Sequence, residues 1–234
     1  MAVLDAFRSN DYDADGFRTC DTTGMRVHRS AENMVKVHGL TAVVALLIAG
    51  FFAFFVAMTR WELVGLLSAT DFYKYLSMHA WNALIFWMIF MEVAILYVGG
   101  PFVLGRRLPF PRVAKLGYVV MLVAAVWINL AIWFTKQPNQ QPLLTSYAPL
   151  PSSAWFYSGV VVFILGTVVA AVPFFATLWR EKVENPKRTL PLVTFGAFVA
   201  GVIAVESLVG GLITYVPTFF WRIGWLAHID AAWY

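Results

Sequence analysis

The chain has 234 residues, of which 60% are hydrophobic and only 13% are charged, and its mean hydropathy is +0.71. A soluble domain carries about 25% charged residues, so this composition excludes an ordinary soluble protein and predicts an integral membrane protein. The net charge of +4 comes from basic residues in short loops between apolar runs, which is typical of topology signals rather than of nucleic-acid binding. The single cysteine, Cys20, excludes an internal disulfide and a paired-thiolate metal site.

Residues 1–38 form a polar amino-terminal segment, for which we predict a partly irregular structure on the cytoplasmic side. The order DxDxDG at residues 11–16 is that of the start of a calcium-binding loop. The twelfth position of such a loop should be a bidentate Glu, but here it is Thr22. A solvated cluster of aspartates is therefore the preferred interpretation, and calcium binding is the alternative.

Six apolar runs follow and predict an all-α bundle of about six transmembrane helices over residues 39–234. A helix of ~20 residues crosses a hydrocarbon core of ~30 Å, and the first five runs reach this length. The sixth run is rich in aromatic residues and has only 17 residues. The runs lie near 39–59, 75–99, 115–135, 154–179, 190–216 and 218–234.

Basic residues in two loops set the predicted orientation. The loop between the second and third runs and the loop between the fourth and fifth runs are both basic. These residues are Arg106, Arg107, Arg112 and Lys115 in the first loop, and Arg180, Lys182, Lys187 and Arg188 in the second. The positive-inside rule places both loops in the cytoplasm, and with them the amino terminus. The loop at 136–153 is then outside.

Two histidines within the apolar runs are candidates for a functional site. His79 is expected about four residues, or roughly 6 Å, below the outer surface, and His228 about eleven residues, or roughly 16 Å, into the sixth run. An imidazole near the midplane should have a ligand or a partner, whereas a shallow one can bond to a headgroup or a neighbour. Asp230 follows His228 by two residues and points about 200° away on a helix, so it could serve a proton path beside the site.

Several short motifs lie in a fixed order along the chain. The second run contains LSMHA at residues 76–80, and the passage from Tyr147 to Tyr157 reads YAPLPSSAWFY. The fourth run continues into LWR and NP, and Phe220-Trp221 precedes His228. In their order and spacing these motifs resemble the large catalytic subunit (subunit I) of B-type haem-copper oxidases. The resemblance covers only the amino-terminal half of that subunit, helices one to six.

This resemblance implies that His79 is one axial ligand of a low-spin haem and that His228 is the first histidine ligand of a copper ion. It places Tyr147 at the position where the family has a tyrosine beside a haem, in an outer loop. It assigns Asp230 to the position at which A-type oxidases have a proton-shuttling glutamate. Tyr147 and Asp230 are therefore the predicted catalytic residues. The implied reaction is electron transfer to oxygen, as in cytochrome c oxidase, in the cytoplasmic (inner) membrane of a prokaryote.

The resemblance also implies partners. They are membrane subunits that carry the remaining helices, and a copper-containing subunit through which electrons enter. The implied electron donor is cytochrome c or a cupredoxin, and no nucleic acid is expected. The second axial ligand of the low-spin haem, the ligand of a high-spin haem and the other copper histidines are then expected on another chain.

The sequence departs from the family pattern after His228. The family has His-Pro-x-Val-Tyr, whereas this chain has HIDAA, which lacks both the proline and the active-site tyrosine. Related nitric oxide reductases have a glutamate at the fourth place after the histidine, where this chain has Ala232. Tyr234 lies two residues too far along to replace the tyrosine.

Three functions remain open, in order of preference. The first is a partial or split catalytic subunit of a haem-copper terminal oxidase, completed by another chain and inactive alone. The second is a non-catalytic structural or assembly subunit derived from an oxidase half, which the loss of the proline and the tyrosine favours. The third is a subunit similar to nitric oxide reductase.

Overall fold

The computed structural model describes residues 11–135 and 152–230. In this part of the chain five helices are long and apolar enough to cross a membrane. They are α1 (Arg29–Arg60), α2 (Ala69–Phe102), α3 (Pro111–Phe134), α4 (Ala154–Glu184) and α5 (Leu192–Arg222). A short antiparallel hairpin of β1 (Phe17–Thr19) and β2 (Arg26–His28) precedes α1. The prediction of a helical integral membrane protein is confirmed.

Helix α1 begins ten residues before the predicted start, because the charges of its first turns are paired. Glu32 is 3% exposed, and its carboxylate accepts two hydrogen bonds from Arg18, at 2.7 and 2.8 Å. Lys36, one turn further along α1, lies 2.7 Å from the same carboxylate. The Arg18–Glu32 pair holds the hairpin against α1, and the Lys36–Glu32 pair lies within the helix. Residues 29–38 therefore belong to the helix rather than to an irregular segment.

The aspartates of the DxDxDG segment form a turn at the start of the hairpin. The Asp13 carboxylate accepts hydrogen bonds from the backbone N–H groups of Asp15, at 3.0 Å, and Phe17, at 2.8 Å. Its other oxygen lies 3.3 Å from Arg26 on the opposite strand. Backbone N–H donors and an arginine lower the pKa of Asp13. Gly16 has φ +82°, which completes the turn.

Helix α2 contains two π-helical segments, Trp81–Phe86 and Val98–Phe102. The second segment includes the Gly-Gly-Pro sequence at 99–101, where the sequence predicts a break between helices. A Cβ atom on Gly99 would lie 2.5 Å from the Cβ of Ala197, and one on Gly100 would lie 2.7 Å from the ring of Phe174. These glycines therefore allow α2 to pack closely on α5 and α4.

Helices α3 and α4 approach each other through small residues. A Cβ atom on Gly117 of α3 would lie 2.6 Å from the backbone nitrogen of Ala170. A Cβ atom on Gly166 of α4 would lie 2.9 Å from the backbone nitrogen of Met121. Close backbone contact of this kind is how membrane helices gain van der Waals packing.

Glu181 joins the two basic loops at the predicted cytoplasmic end. Its carboxylate is 1% exposed and accepts hydrogen bonds from Arg106, at 2.7 and 2.8 Å, and from Arg188, at 3.1 Å. Asn185 donates to the same carboxylate at 3.2 Å, and the exposed Glu184 lies 2.6 Å from Arg106. The loop after α2 and the loop after α4 are thus held together by one buried carboxylate.

The predicted sixth helix, 218–234, does not form in the described residues. Residues 218–222 are the last turn of α5, which continues through Pro217, and residues 223–230 are turns and irregular chain. The end is a Schellman motif: Gly224 has φ +82° and donates to the carbonyl of Trp221 at 3.1 Å, while Trp225 donates to that of Phe220 at 2.9 Å. This glycine cap terminates the helix, so the prediction of a separate helix from residue 218 was wrong.

Candidate functional site

His79 has the hydrogen-bond geometry of a metal-binding histidine. It lies on α2, half-buried, and its Nδ1 is 3.0 Å from the carbonyl oxygen of Ala49 on α1. A carbonyl only accepts, so Nδ1 carries the ring proton and Nε2 has a free lone pair. Metal-binding histidines usually donate their second N–H to such an acceptor, which fixes the tautomer and the ring orientation.

The chain around His79 is held on a second side as well. The π-helical segment begins at Trp81, and the amide of Asn82 donates to the Asn129 side chain on α3 at 2.7 Å. Asn82 also donates to the carbonyl of Met78 at 2.8 Å. π-helical turns occur frequently at functional sites. Sequence reasoning missed this amide pair, although two asparagines in apolar runs were a visible signal.

His38 of α1 is a second buried histidine that sequence reasoning missed, because residues 1–38 were assigned to the polar segment. It is 0% exposed, and its Nδ1 donates to the carbonyl of Met34 at 2.8 Å. Its Nε2 has no hydrogen-bond partner in the part of the chain that the structure describes. The rings of Tyr118, Tyr97 and Phe90 enclose it, with centroids 4.9, 5.6 and 6.1 Å away. His38 is therefore part of the packed aromatic core between α1, α2 and α3.

His228 and Asp230 lie beyond the end of α5, and both are exposed. The predicted midplane depth of His228 depended on a sixth helix, and the structure does not support it. Within residues 11–135 and 152–230, no three His, Cys, Asp or Glu side chains come close enough together to hold a metal ion. The described residues therefore do not surround His228 with a three-ligand metal site. Tyr147 lies outside the described residues.

A sequence model of the family described as Cytochrome C and Quinol oxidase polypeptide I matches residues 33–232. The chain belongs to this family. The cytochrome c oxidase subunit 1 of Thermus thermophilus is 26% identical over 163 residues, which are 68% of this chain and 28% of that protein. The chain thus spans less than a third of the length of this curated relative. The resemblance to oxidase subunit I is confirmed.

Oxidases of this family bind haem and copper, and their subunit I works with other membrane subunits. The four histidines of this chain differ in how well they suit such a role. The ring of His79 is half-buried and its Nε2 has no hydrogen-bond partner among the described residues, whereas His38 is fully buried. His28 accepts a hydrogen bond at Nε2 from Arg107 at 3.2 Å, and His228 belongs to no group of three or more possible metal ligands in the described residues. The donor set therefore fits one axial haem ligand, His79, and does not by itself fit a copper ion.

Proposed function

We propose that this chain is part of the catalytic subunit of a haem-copper terminal oxidase and supplies His79 as one axial ligand of a low-spin haem. The observation that carries the proposal is the hydrogen bond from His79 Nδ1 to the Ala49 carbonyl, in a member of the oxidase subunit I family. This bond directs the Nε2 lone pair away from α1 and raises its basicity. When bound, the haem supplies a one-electron redox centre.

We further propose that helices outside these 234 residues pack against α5 and carry the remaining ligands. Helix α5 is the least buried of the five membrane-length helices, and Glu206 in its interior is exposed. Ionisable residues within membrane spans almost always face a bundle interior or a partner. A second axial ligand, a high-spin haem ligand and further copper ligands would come from these helices. His228 remains the proposed first copper ligand, and it needs these helices beside it to form a site.

Asp230 and Tyr147 keep their proposed catalytic roles from the family pattern, Asp230 on a proton path and Tyr147 beside a haem. The proposed reaction is electron transfer to oxygen in a prokaryotic cytoplasmic membrane, for which the Thermus relative is the support. The proposed electron-entry partner is a copper-containing subunit served by cytochrome c or a cupredoxin. The name of the relative, cytochrome c oxidase subunit 1, supports cytochrome c as the donor, whereas the copper-containing subunit and the cupredoxin are proposed from the family resemblance.

The test is the absorption spectrum of the complex that purifies with this chain in mild detergent. The His79→Ala variant should lose the reduced-minus-oxidised signal of the low-spin haem, because the iron loses an axial ligand. The matched control, His228→Ala, should keep that signal and lower the copper content. Retention of the same co-purifying polypeptides in both variants shows that the bundle still assembles. A wild-type haem spectrum in the assembled His79→Ala complex would refute the haem assignment.

A second candidate function is a non-catalytic structural or assembly subunit. The observation that favours it is the HIDAA sequence, which lacks the family's proline and tyrosine, together with the exposure of His228 and Asp230. Measuring the haem and copper content of the complex distinguishes the two functions. If the chain is a structural subunit, replacing His79 or His228 should leave the haem and copper content unchanged. If metals are present, measuring the consumption of oxygen against that of nitric oxide distinguishes an oxidase from a nitric oxide reductase-like complex.

A further inference from the structure

A cavity of about 420 Å³ opens where α1 and α3 begin, at the end of the bundle that the positive-inside rule places in the cytoplasm. Three parts of the chain line it. Asp15 comes from the turn before β1, Arg29 and Asn33 from the first turns of α1, and Arg107 and Lys115 from the α2–α3 connection and the start of α3. The proposed oxidase chemistry uses none of these residues.

The charge of the cavity favours an anion. Three cationic side chains line it, Arg29, Arg107 and Lys115, against one carboxylate, Asp15. All three cations are exposed, and Lys115 has no ion-pair partner among the described residues. The Nε of Arg107 donates a hydrogen bond to His28, so the terminal nitrogens of Arg107 can donate to another group. Guanidinium and ammonium groups converging from separate elements are the usual ligands of a phosphate group.

Two stripes of apolar side chains run from the cavity along the membrane-spanning helices. On each helix, residues at spacings of about 3.6 lie on the same face as the cavity residue at its cytoplasmic end. The stripe that begins at Asn33 contains Leu40, Val44, Leu47 and Phe51, and the stripe that begins at Lys115 contains Val119, Val123, Val126 and Leu130, all exposed. The two helices meet near the cavity, where the hydroxyls of Thr41 and Tyr118 lie 2.9 Å apart.

We propose that this cavity binds the phosphate headgroup of an anionic phospholipid from the cytoplasmic leaflet, with its acyl chains along the two stripes. A soluble phosphate would use only the cations, whereas a phospholipid uses both the cations and the exposed apolar side chains. Basic pockets between helices on the cytoplasmic side are suited to such headgroups. The site is independent of the haem ligand at His79.

The experiment measures phospholipid retained by the full chain, in the complex with which it purifies, using native mass spectrometry in a neutral detergent. Phosphatidylglycerol should be retained in preference to phosphatidylcholine. The Arg29→Gln/Lys115→Gln double variant should bind phosphatidylglycerol at least about tenfold more weakly, since two charges near the headgroup are removed. The matched control, Lys187→Gln, removes an exposed charge from the other basic loop and should leave retention unchanged.

Competition experiments separate a phospholipid from a free phosphate. Inorganic phosphate and glycerol 3-phosphate should not displace phosphatidylglycerol, because neither contacts the apolar stripes. Circular dichroism of the double variant checks that the helices still form, and Lys115→Glu provides a second variant with a larger expected loss. Equal retention of both lipids by the wild type, or equal loss in the Lys187→Gln control, would overturn the proposal. Displacement by inorganic phosphate alone would identify a soluble anion as the occupant and would also overturn it.

Discussion

Asn82 of α2 and Asn129 of α3 exchange side-chain hydrogen bonds, with nitrogen–oxygen distances of 2.7 and 3.4 Å. Each amide also donates to a carbonyl of its own helix, Asn82 to Met78 and Asn129 to Ala125. Asn82 is 1% exposed, so its polar atoms depend on these partners. The pair therefore fixes the rotation of α2 about its own axis at the turn that follows His79.

Replacing one member of this amide pair should destabilise the bundle. We expect Asn82→Leu to cost about 1 kcal/mol, as is usual for hydrogen bonds between membrane helices. Because a single substitution leaves the other amide unpaired, the double variant with Asn129→Leu should cost less than the sum of the two single variants. Unfolding in a denaturing detergent measures these differences. The control is Ser207→Ala, whose hydroxyl bonds only within α5, and an equal effect there would contradict the prediction.

Gly117 should be intolerant of even one methyl group. In Gly117→Ala the new Cβ would lie 2.6 Å from the backbone of α4, so the two helices must separate. We expect a loss of about 1–3 kcal/mol, the usual cost of overpacking. The control is Gly196→Ala, because Gly196 is exposed and no atom of the described residues lies within 4 Å of the added Cβ. Similar melting temperatures for the two variants would show that the α3–α4 contact is not tight.

Replacing Glu181 should lower the free energy of unfolding more than replacing its neighbour Glu184. Glu181→Gln removes the buried negative charge that Arg106 and Arg188 both contact. Because both arginines are partly exposed and Arg106 keeps its pair with Glu184, we expect a loss of about 1.5–3 kcal/mol. Glu184→Gln removes one exposed ion pair and should cost about 0–1 kcal/mol. Thermal unfolding, with limited proteolysis of the loop at 185–191, measures both. Comparable losses in the two variants would contradict the prediction.

His28 should make the amino-terminal hairpin sensitive to acid. Burial and the nearby charge of Arg107 lower the pKa of His28 from its ordinary value of 6.5, and they outweigh Asp13 and Asp15, which act in the opposite direction. The unfolded chain then binds a proton more readily than the folded one, so the contribution of His28 to stability is complete above pH 6.5 and is lost as the pH falls.

The measurement compares melting temperatures from about pH 8 to about pH 5, on either side of the ordinary histidine pKa. The wild type should lose stability on acidification, and His28→Gln should lose less over the same interval because glutamine does not titrate. His228→Gln, which changes an exposed histidine, serves as the control. A wild-type slope that is identical to that of His28→Gln would rule out this role.

The apolar runs predicted the five long helices because length and hydropathy dominate in a membrane. The predicted helix bounds were wrong where tertiary contacts determine the residue at which a helix begins or ends. Helix α1 begins at Arg29 because Arg18, eleven residues earlier, pairs with Glu32, and no local pattern shows this pairing. Helix α2 runs through Gly99–Pro101 and ends at Phe102, three residues past the predicted end at residue 99, because the glycines pack against α5 and α4.

The candidate site was predictable only in part. His79 followed from its motif, but its acceptor Ala49 is a backbone carbonyl 30 residues away, which no sequence pattern displays. His38 was missed because a polar neighbourhood concealed its burial. For His228 a signal existed, since Gly224 follows the basic last turn of α5, and a glycine after a basic last turn is typical of a helix end.

The π-helical segment at Trp81–Phe86 separates two faces of α2 that have different partners. Before it, His79 bonds to α1, and after it, Gly99 packs on α5. An α-helix turns by about 100° per residue, so deleting one residue from the segment would rotate one face relative to the other by about that angle. The hydrogen bond between His79 and Ala49 could then persist only if Gly99 lost its packing contact with Ala197. The number of residues between the two contacts, rather than the identity of their side chains, therefore sets the direction in which His79 presents its free nitrogen.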